Sequence, residues 1–291
     1  GQLALYEVGE LSKTETDAIV EGTLAKFMLL ALLMFVLIGL VLIGVVLGIV
    51  AIVLIAKGTI RPKMQRFSKP TAAFAEVLGI FLALFVLIQL GIGLLGIEEA
   101  APIVIWLTLG AAFWPLVRGW SWKETCDGLG WTTGRGFFVE IGAGLVGYLA
   151  LLPLVAIGLL ATIVVTLIGA GLGLEPPTHP VAEGDPSSSI TKILLLFLLA
   201  SVWAPVVEET IFRGALFHHL HAAIGVAGAA LISGFIFAVI HPQGVLGVPA
   251  LTTIGVCFAL LRYWRGSLIA SVTAHAVHNT FLITLLVILT S

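Results

Sequence analysis

The chain has 291 residues, 59% of them hydrophobic, with 14 Lys or Arg, 16 Asp or Glu and a net charge of −2; its mean hydropathy is +1.16. Soluble domains carry about 25% charged residues, so a tenth excludes a soluble globular domain and a disordered chain, and the balanced charge gives no case for nucleic acid or another polyanion. Cys126 and Cys257 are too few for a disulfide framework.

These figures leave an all-α, polytopic transmembrane helical bundle. A β-barrel would show alternating segments of about 10 residues, whereas this chain has continuous apolar runs. A crossing needs about 20 apolar residues. Residues 1–26 form an acidic N-terminal segment, with Glu7, Glu10, Glu15, Asp17 and Glu21 against Lys13 and Lys26. Four spans are expected within residues 27–174: Phe27 to Ala56, Phe74 to Ile97, Ala101 to Val117, and one long tilted span from Phe137 to Leu174 that Pro153 could kink. Residues 175–189 are a Pro/Ser-rich loop in which no helix is expected. Residues 190–291 hold four more: a long helix from Ile190 past Glu208 toward His221, then Ile224 to Ile240, Val245 to Leu261 and Leu268 to Leu289. The total is eight.

Basic residues set the orientation. Lys57, Arg61, Lys63, Arg66 and Lys69 lie between spans one and two, Arg118, Lys123 and Arg135 between three and four, Arg262 and Arg265 between seven and eight. The opposite loops carry Glu98, Glu99, Glu175, Glu183 and Asp185 without a Lys or Arg. Both termini are therefore expected on the non-cytoplasmic side. The chain starts at Gly1 rather than Met, so residues are expected upstream. With no internal repeat, the inverted-repeat argument for a transporter has no support.

Charge inside a span is costly and marks function by default. The exceptions concentrate after residue 200: Glu208, Glu209, Arg213, His241, His275, His278 and Asn279. Two adjacent carboxylates in an apolar helix disfavour joint ionisation. Glu209 and Arg213 stand at i and i+4, acid first, and should pair; Glu208 lies about 100° round the helix, free for another partner. Such a pair could equally be a bridge between helices. Phe237 and His241 share a face at i and i+4 before Pro242 and Gly244 end the helix. His275 and Asn279 share another. Taken singly, His241 suits an end-of-helix histidine and His275/Asn279 an interhelical hydrogen-bonding pair. Together they bring a carboxylate, two imidazoles and an amide to overlapping depths. A desolvated Glu can serve as general base on water, and His or Asn donors can stabilise an oxyanion. There is no Gly-x-Ser-x-Gly elbow and no His-Glu-x-x-His helix.

Glu208-Glu209-x-x-x-Arg213, Phe237-x-x-x-His241 and His275-x-x-x-Asn279, in order on separate helices, resemble the three motifs of the CPBP family. These are the CaaX proteases and bacteriocin-processing enzymes, also called the Abi family, which include the Ras-converting CaaX endopeptidase. The resemblance covers about residues 190–290. It implies Glu208 as the base that activates water, His241 and His275 as groups that bind water and substrate, and His275 with Asn279 as oxyanion stabilisers. Glu209, Arg213 and Phe237 would support them. It implies a glutamate mechanism without metal or other cofactor. One Glu and two His could also form a Zn²⁺ set, but here they come from three helices with no i, i+4 His pair to pre-form it. His218, His219 and His221 are read as interfacial.

The expected function is an intramembrane endopeptidase acting on a membrane-associated or lipidated protein or peptide, within a bacterial inner membrane. Two rivals stand beside it. One is a transporter using Glu and His as a proton relay. The other is a non-catalytic subunit that kept the fold, in which Gly44 and Gly48 could serve a helix of a partner membrane protein, though such pairs are also common in packing within one chain.

Overall fold

The computed structural model describes residues 13–64, 70–173, 189–241 and 244–290. The first part of the acidic segment and nearly all of the expected 175–189 loop lie outside the described residues, as do Arg66, Lys69 and Pro242. Every regular element among the described residues is helical.

Helix α1 spans Lys13–Ala56 and α2 spans Ala72–Leu95. α3, Glu98–Val117, is a chain of short 3₁₀ and α-helical pieces. α4 is Trp122–Leu129 and α5 is Phe137–Gly171. α6 occupies residues 190–224 and α7 residues 226–239, with α8 at Gly244–Arg265 and α9 at Ile269–Thr290.

Seven helical runs have the length and apolarity to cross a membrane, and one of them, Ile190–Val239, is two crossings. Gly225 breaks it with φ 77° and ψ 179°, a conformation open to glycine. The chain doubles back there. Phe212 and Phe237 meet edge to face at 5.2 Å between ring centroids, and Phe217 packs with Ala229 and Ala230. Residues 25 apart in a straight helix would be separated by about 37 Å at ~1.5 Å per residue. With α6 and α7 counted separately, the bundle has eight crossings.

The expected boundaries shift in three places. Among the described residues α1 is already helical at Lys13, well before Phe27. The third crossing carries a 3₁₀ stretch at Ile105–Phe113. Pro115 follows it closely and cannot donate to the carbonyl four residues back. The loop expected between spans three and four contains α4, which starts at a capping box: Ser121 accepts from the Glu124 backbone, and the Glu124 side chain accepts from the Ser121 backbone.

Three of the basic loops meet at one end of the bundle. Lys63 and Met64 donate backbone hydrogen bonds to Tyr263 O at 3.3 Å, and Leu268 donates to Gly130 O at 2.9 Å. Arg265 holds Glu140 through two bonds of 2.7 Å, and Glu140 also accepts from the Arg135 backbone at 2.9 Å. Glu140 is fully buried, so intramembrane charge is not confined to residues after 200. α1 packs against α5, where Gly44 faces the Leu149 carbonyl and Pro153 and Gly48 faces the Ala150 carbonyl. The glycine pair considered for a partner helix is thus used within the chain.

Candidate active site

The site begins with a distortion of α6. Leu199–Trp203 and Glu209–Leu216 are π-helical, flanking a short α-helical piece at Ala204–Glu208. Pro205 explains the first of these. It has no N–H to give, and its ring crowds the carbonyl one turn back. The Ala204 N–H therefore reaches five residues back, to Leu199 O, and Ala200 O is left without its usual donor. Asn279 supplies one: its side-chain amide donates to Ala200 O at 2.7 Å. The wide turns present Glu208 and Glu209 to different partners at the junction.

Glu209 is fully buried, and its Oε1 lies 3.0 Å from Arg213 Nη1 and 3.0 Å from His275 Nδ1. Arg213 is equally buried. It donates to Gly255 O at 3.2 Å and sits over the Phe237 ring, 4.4 Å from its centroid. Phe237 in turn packs on His241 at 4.1 Å. Gly234 and Gly255 allow this convergence, because a Cβ on Gly255 would fall 2.7 Å from Gly234 Cα.

Glu208 faces the other way. Its Oε2 lies 3.8 Å from His241 Nε2 and 3.8 Å from His275 Nε2. That oxygen is buried, and no group among the described residues comes within hydrogen-bond reach of it. The outer nitrogens of both rings are already assigned. His241 Nδ1 meets the Phe237 carbonyl at 2.6 Å, and His275 Nδ1 meets the Glu209 carboxylate at 3.0 Å. Each partner can only accept, so each Nδ1 carries the proton. In the neutral rings both Nε2 atoms then offer lone pairs toward Glu208.

These groups line a cavity of about 810 Å³, which Asn279 and His278 also border. Its other walls are mostly apolar, including Phe81, Phe85 and Trp203. It also reaches Gln89 late in α2, Glu98 at the start of α3, and Leu286 late in α9. Along each helix these positions lie toward the end opposite the basic loops. Glu208, His241, His275 and Asn279 are thus gathered on one cavity, with Glu209, Arg213 and Phe237 behind them. His218 and His221 lie elsewhere, beside Phe74 and Tyr263 respectively. Among the described residues no group of three or more His, Cys, Asp or Glu is arranged to hold a metal ion.

Two participants gave little sign in the sequence. Tyr148 of α5 is bonded to His278 at 2.7 Å, and a lone Tyr in an apolar run carries no spacing signal. Thr210 of α6 accepts from Trp131 Nε1 at 3.1 Å, tying α6 to the loop after α4.

Residues 190–281 match the family described as "Type II CAAX prenyl endopeptidase Rce1-like". "Putative membrane peptidase YdiL" of Bacillus subtilis (strain 168) is 30% identical over 94 residues, 32% of this chain and 38% of that protein. The chain therefore matches well under two thirds of that relative's length. No solved structure matches. All three motifs, from Glu208 to Asn279, fall inside the matched segment. This multi-pass helical membrane protein is, over residues 190–281, similar to the Rce1-like CAAX prenyl endopeptidases.

Proposed function

We propose that the protein is an intramembrane endopeptidase in which Glu208 activates water. The observation that carries this reading is the gap between Glu208 Oε2 and the two histidine Nε2 atoms, 3.8 Å across in each direction, on the wall of a large apolar cavity. A water molecule in that gap has two hydrogens to offer these three acceptors. It donates one hydrogen to Glu208 and the other to a histidine lone pair. Glu208 removes the first proton as the water oxygen attacks the scissile carbonyl. It then returns that proton to the departing amine as the C–N bond breaks. Glu209 and Arg213 hold the His275 ring so that its Nε2 lone pair faces the water, and the second amide hydrogen of Asn279 is the proposed oxyanion donor.

The cavity's apolar walls suit a membrane-associated or lipidated peptide better than a soluble one. Its extension toward Glu98, away from the basic loops, indicates a substrate approached from the non-cytoplasmic half of a bacterial inner membrane. The test is a proteomic comparison of membranes from cells carrying the wild-type protein or Glu208→Gln. One precursor should accumulate in the variant. Identical peptide profiles, with both proteins present at equal levels, would contradict proteolysis.

A further inference from the structure

Three histidines border the cavity, and their Nδ1 atoms differ in what they bond. His241 Nδ1 and His275 Nδ1 each face an acceptor, so their Nε2 atoms are lone pairs unless the rings are charged. His278 is the reverse case. Its Nδ1 lies 2.7 Å from the Tyr148 hydroxyl, and the ring stands edge-on to Tyr148 at 6.0 Å. Tyr148 comes from α5, packed beside Phe258. Among the described residues its hydroxyl has no other hydrogen-bond partner. If this half-buried hydroxyl accepted from Nδ1–H its own hydrogen would have no partner among the described residues, so the arrangement that satisfies both groups is donation to the Nδ1 lone pair. That fixes the neutral His278 ring with its proton on Nε2.

We infer that His278, locked as the Nε2–H tautomer by Tyr148, is the neutral donor beside His275 on α9 to a backbone carbonyl of the bound peptide. This rests on the endopeptidase reading and adds to it the group that recognises the substrate backbone. A peptide entering apolar surroundings loses water from each carbonyl, and a carbonyl left without a donor there is costly. Glu208 is an acceptor, His241 and His275 present lone pairs while neutral, and Asn279 has one amide hydrogen committed to Ala200 O; the buried Trp203 Nε1–H on the same wall is a second free donor, but it stands on α6 rather than beside His275 on α9. His278 sits one turn from His275 on α9, so a carbonyl bound to it lies beside the reacting centre. Tyr148 is a positioning residue: it touches no substrate and acts by setting the tautomer.

Two measurements test this, and the first needs no turnover. In ¹⁵N-histidine-labelled Glu208→Gln protein in detergent, His278 should show a protonated Nε2 and a bare Nδ1. Tyr148→Phe should convert that signal to a mixture of tautomers. Adding a blocked hydrophobic tetrapeptide should shift the His278 Nε2–H resonance. A protonated Nδ1, or an Nε2–H unmoved by saturating peptide, overturns the inference whether or not the protein is a protease. The second measurement is kinetic. His278→Leu should raise KM for a cleaved peptide about tenfold, the worth of one neutral hydrogen bond, and His278→Gln, which keeps an N–H, should recover most of it. An unchanged KM in His278→Leu overturns the inference while leaving proteolysis by Glu208 standing. Absence of cleavage by the wild type defeats the endopeptidase reading instead, and the spectra still decide the tautomer.

Discussion

Glu208 and Glu209 are neighbours with opposite employments. Glu209 is enclosed by Arg213 and His275, whereas Glu208 keeps an oxygen directed at the cavity histidines. Substitution should separate them. Glu209→Gln leaves the Arg213 charge buried without its counter-ion, which costs about 3–5 kcal/mol for a buried pair. Detergent unfolding should therefore register Glu209→Gln strongly and Glu208→Gln weakly; equal destabilisation by both would contradict the division. The Glu209–Arg213 contact was legible from i, i+4 spacing, and so was the freedom of Glu208. The role of Asn279 was not. Its shared face with His275 suggested a donor to the reaction, but one of its hydrogens closes the gap at Ala200 O. That need arises only when α6 departs from α-helical bonding, and no residue spacing announces it.

At the level of elements, the π-helical turns of α6 aim the pair of acids. Pro205 stands three residues before Glu208 in the sequence, but its consequence, a freed carbonyl and a shifted helix face, depends on where Asn279 arrives from α9. Pro205→Ala restores a backbone donor within α6, which competes with Asn279 for the loose carbonyl. A proline inside a helix costs about 3 kcal/mol, so the variant should be at least as stable as the wild type in thermal unfolding. Its peptide cleavage should fall, because Glu208 turns with the tightened helix. A variant both more stable and fully active would show that the π turns do not position Glu208. Ser121 and Glu124 spell a capping box for α4, but at 8 residues the helix is too short to cross a membrane, and a pattern of spans passes over it. The return at Gly225 followed from the count of loops rather than from any turn motif.

For the whole molecule, loop charge and cavity direction make a joint claim. The basic loops share one end, and the cavity runs toward Glu98 at the other. A membrane-impermeant maleimide applied to intact cells should label Glu98→Cys and spare Cys126, which sits in α4 at the basic end. Partial burial, and then the charge of Asp127, raise the Cys126 thiol above its ordinary pKa. After permeabilisation its labelling should therefore be slow at neutral pH and quicken as pH rises through the alkaline range, where the reactive thiolate forms. Labelling of Cys126 in intact cells would invert the topology. The eight crossings were legible because alternating loop charge is a long-range pattern that survives errors in helix ends. The packing of Tyr148 against His278 was not, because it depends on which faces α5 and α9 turn to each other. The central claim, water activated by Glu208, is tested most directly by peptide cleavage with purified protein after exhaustive chelation, wild type beside Glu208→Gln. The account predicts that chelated wild type retains its activity and that Glu208→Gln loses at least about 10²-fold in turnover with its fold intact. Activity abolished by the chelator and restored by stoichiometric zinc would contradict it and make Glu208, His241 and His275 ligands instead.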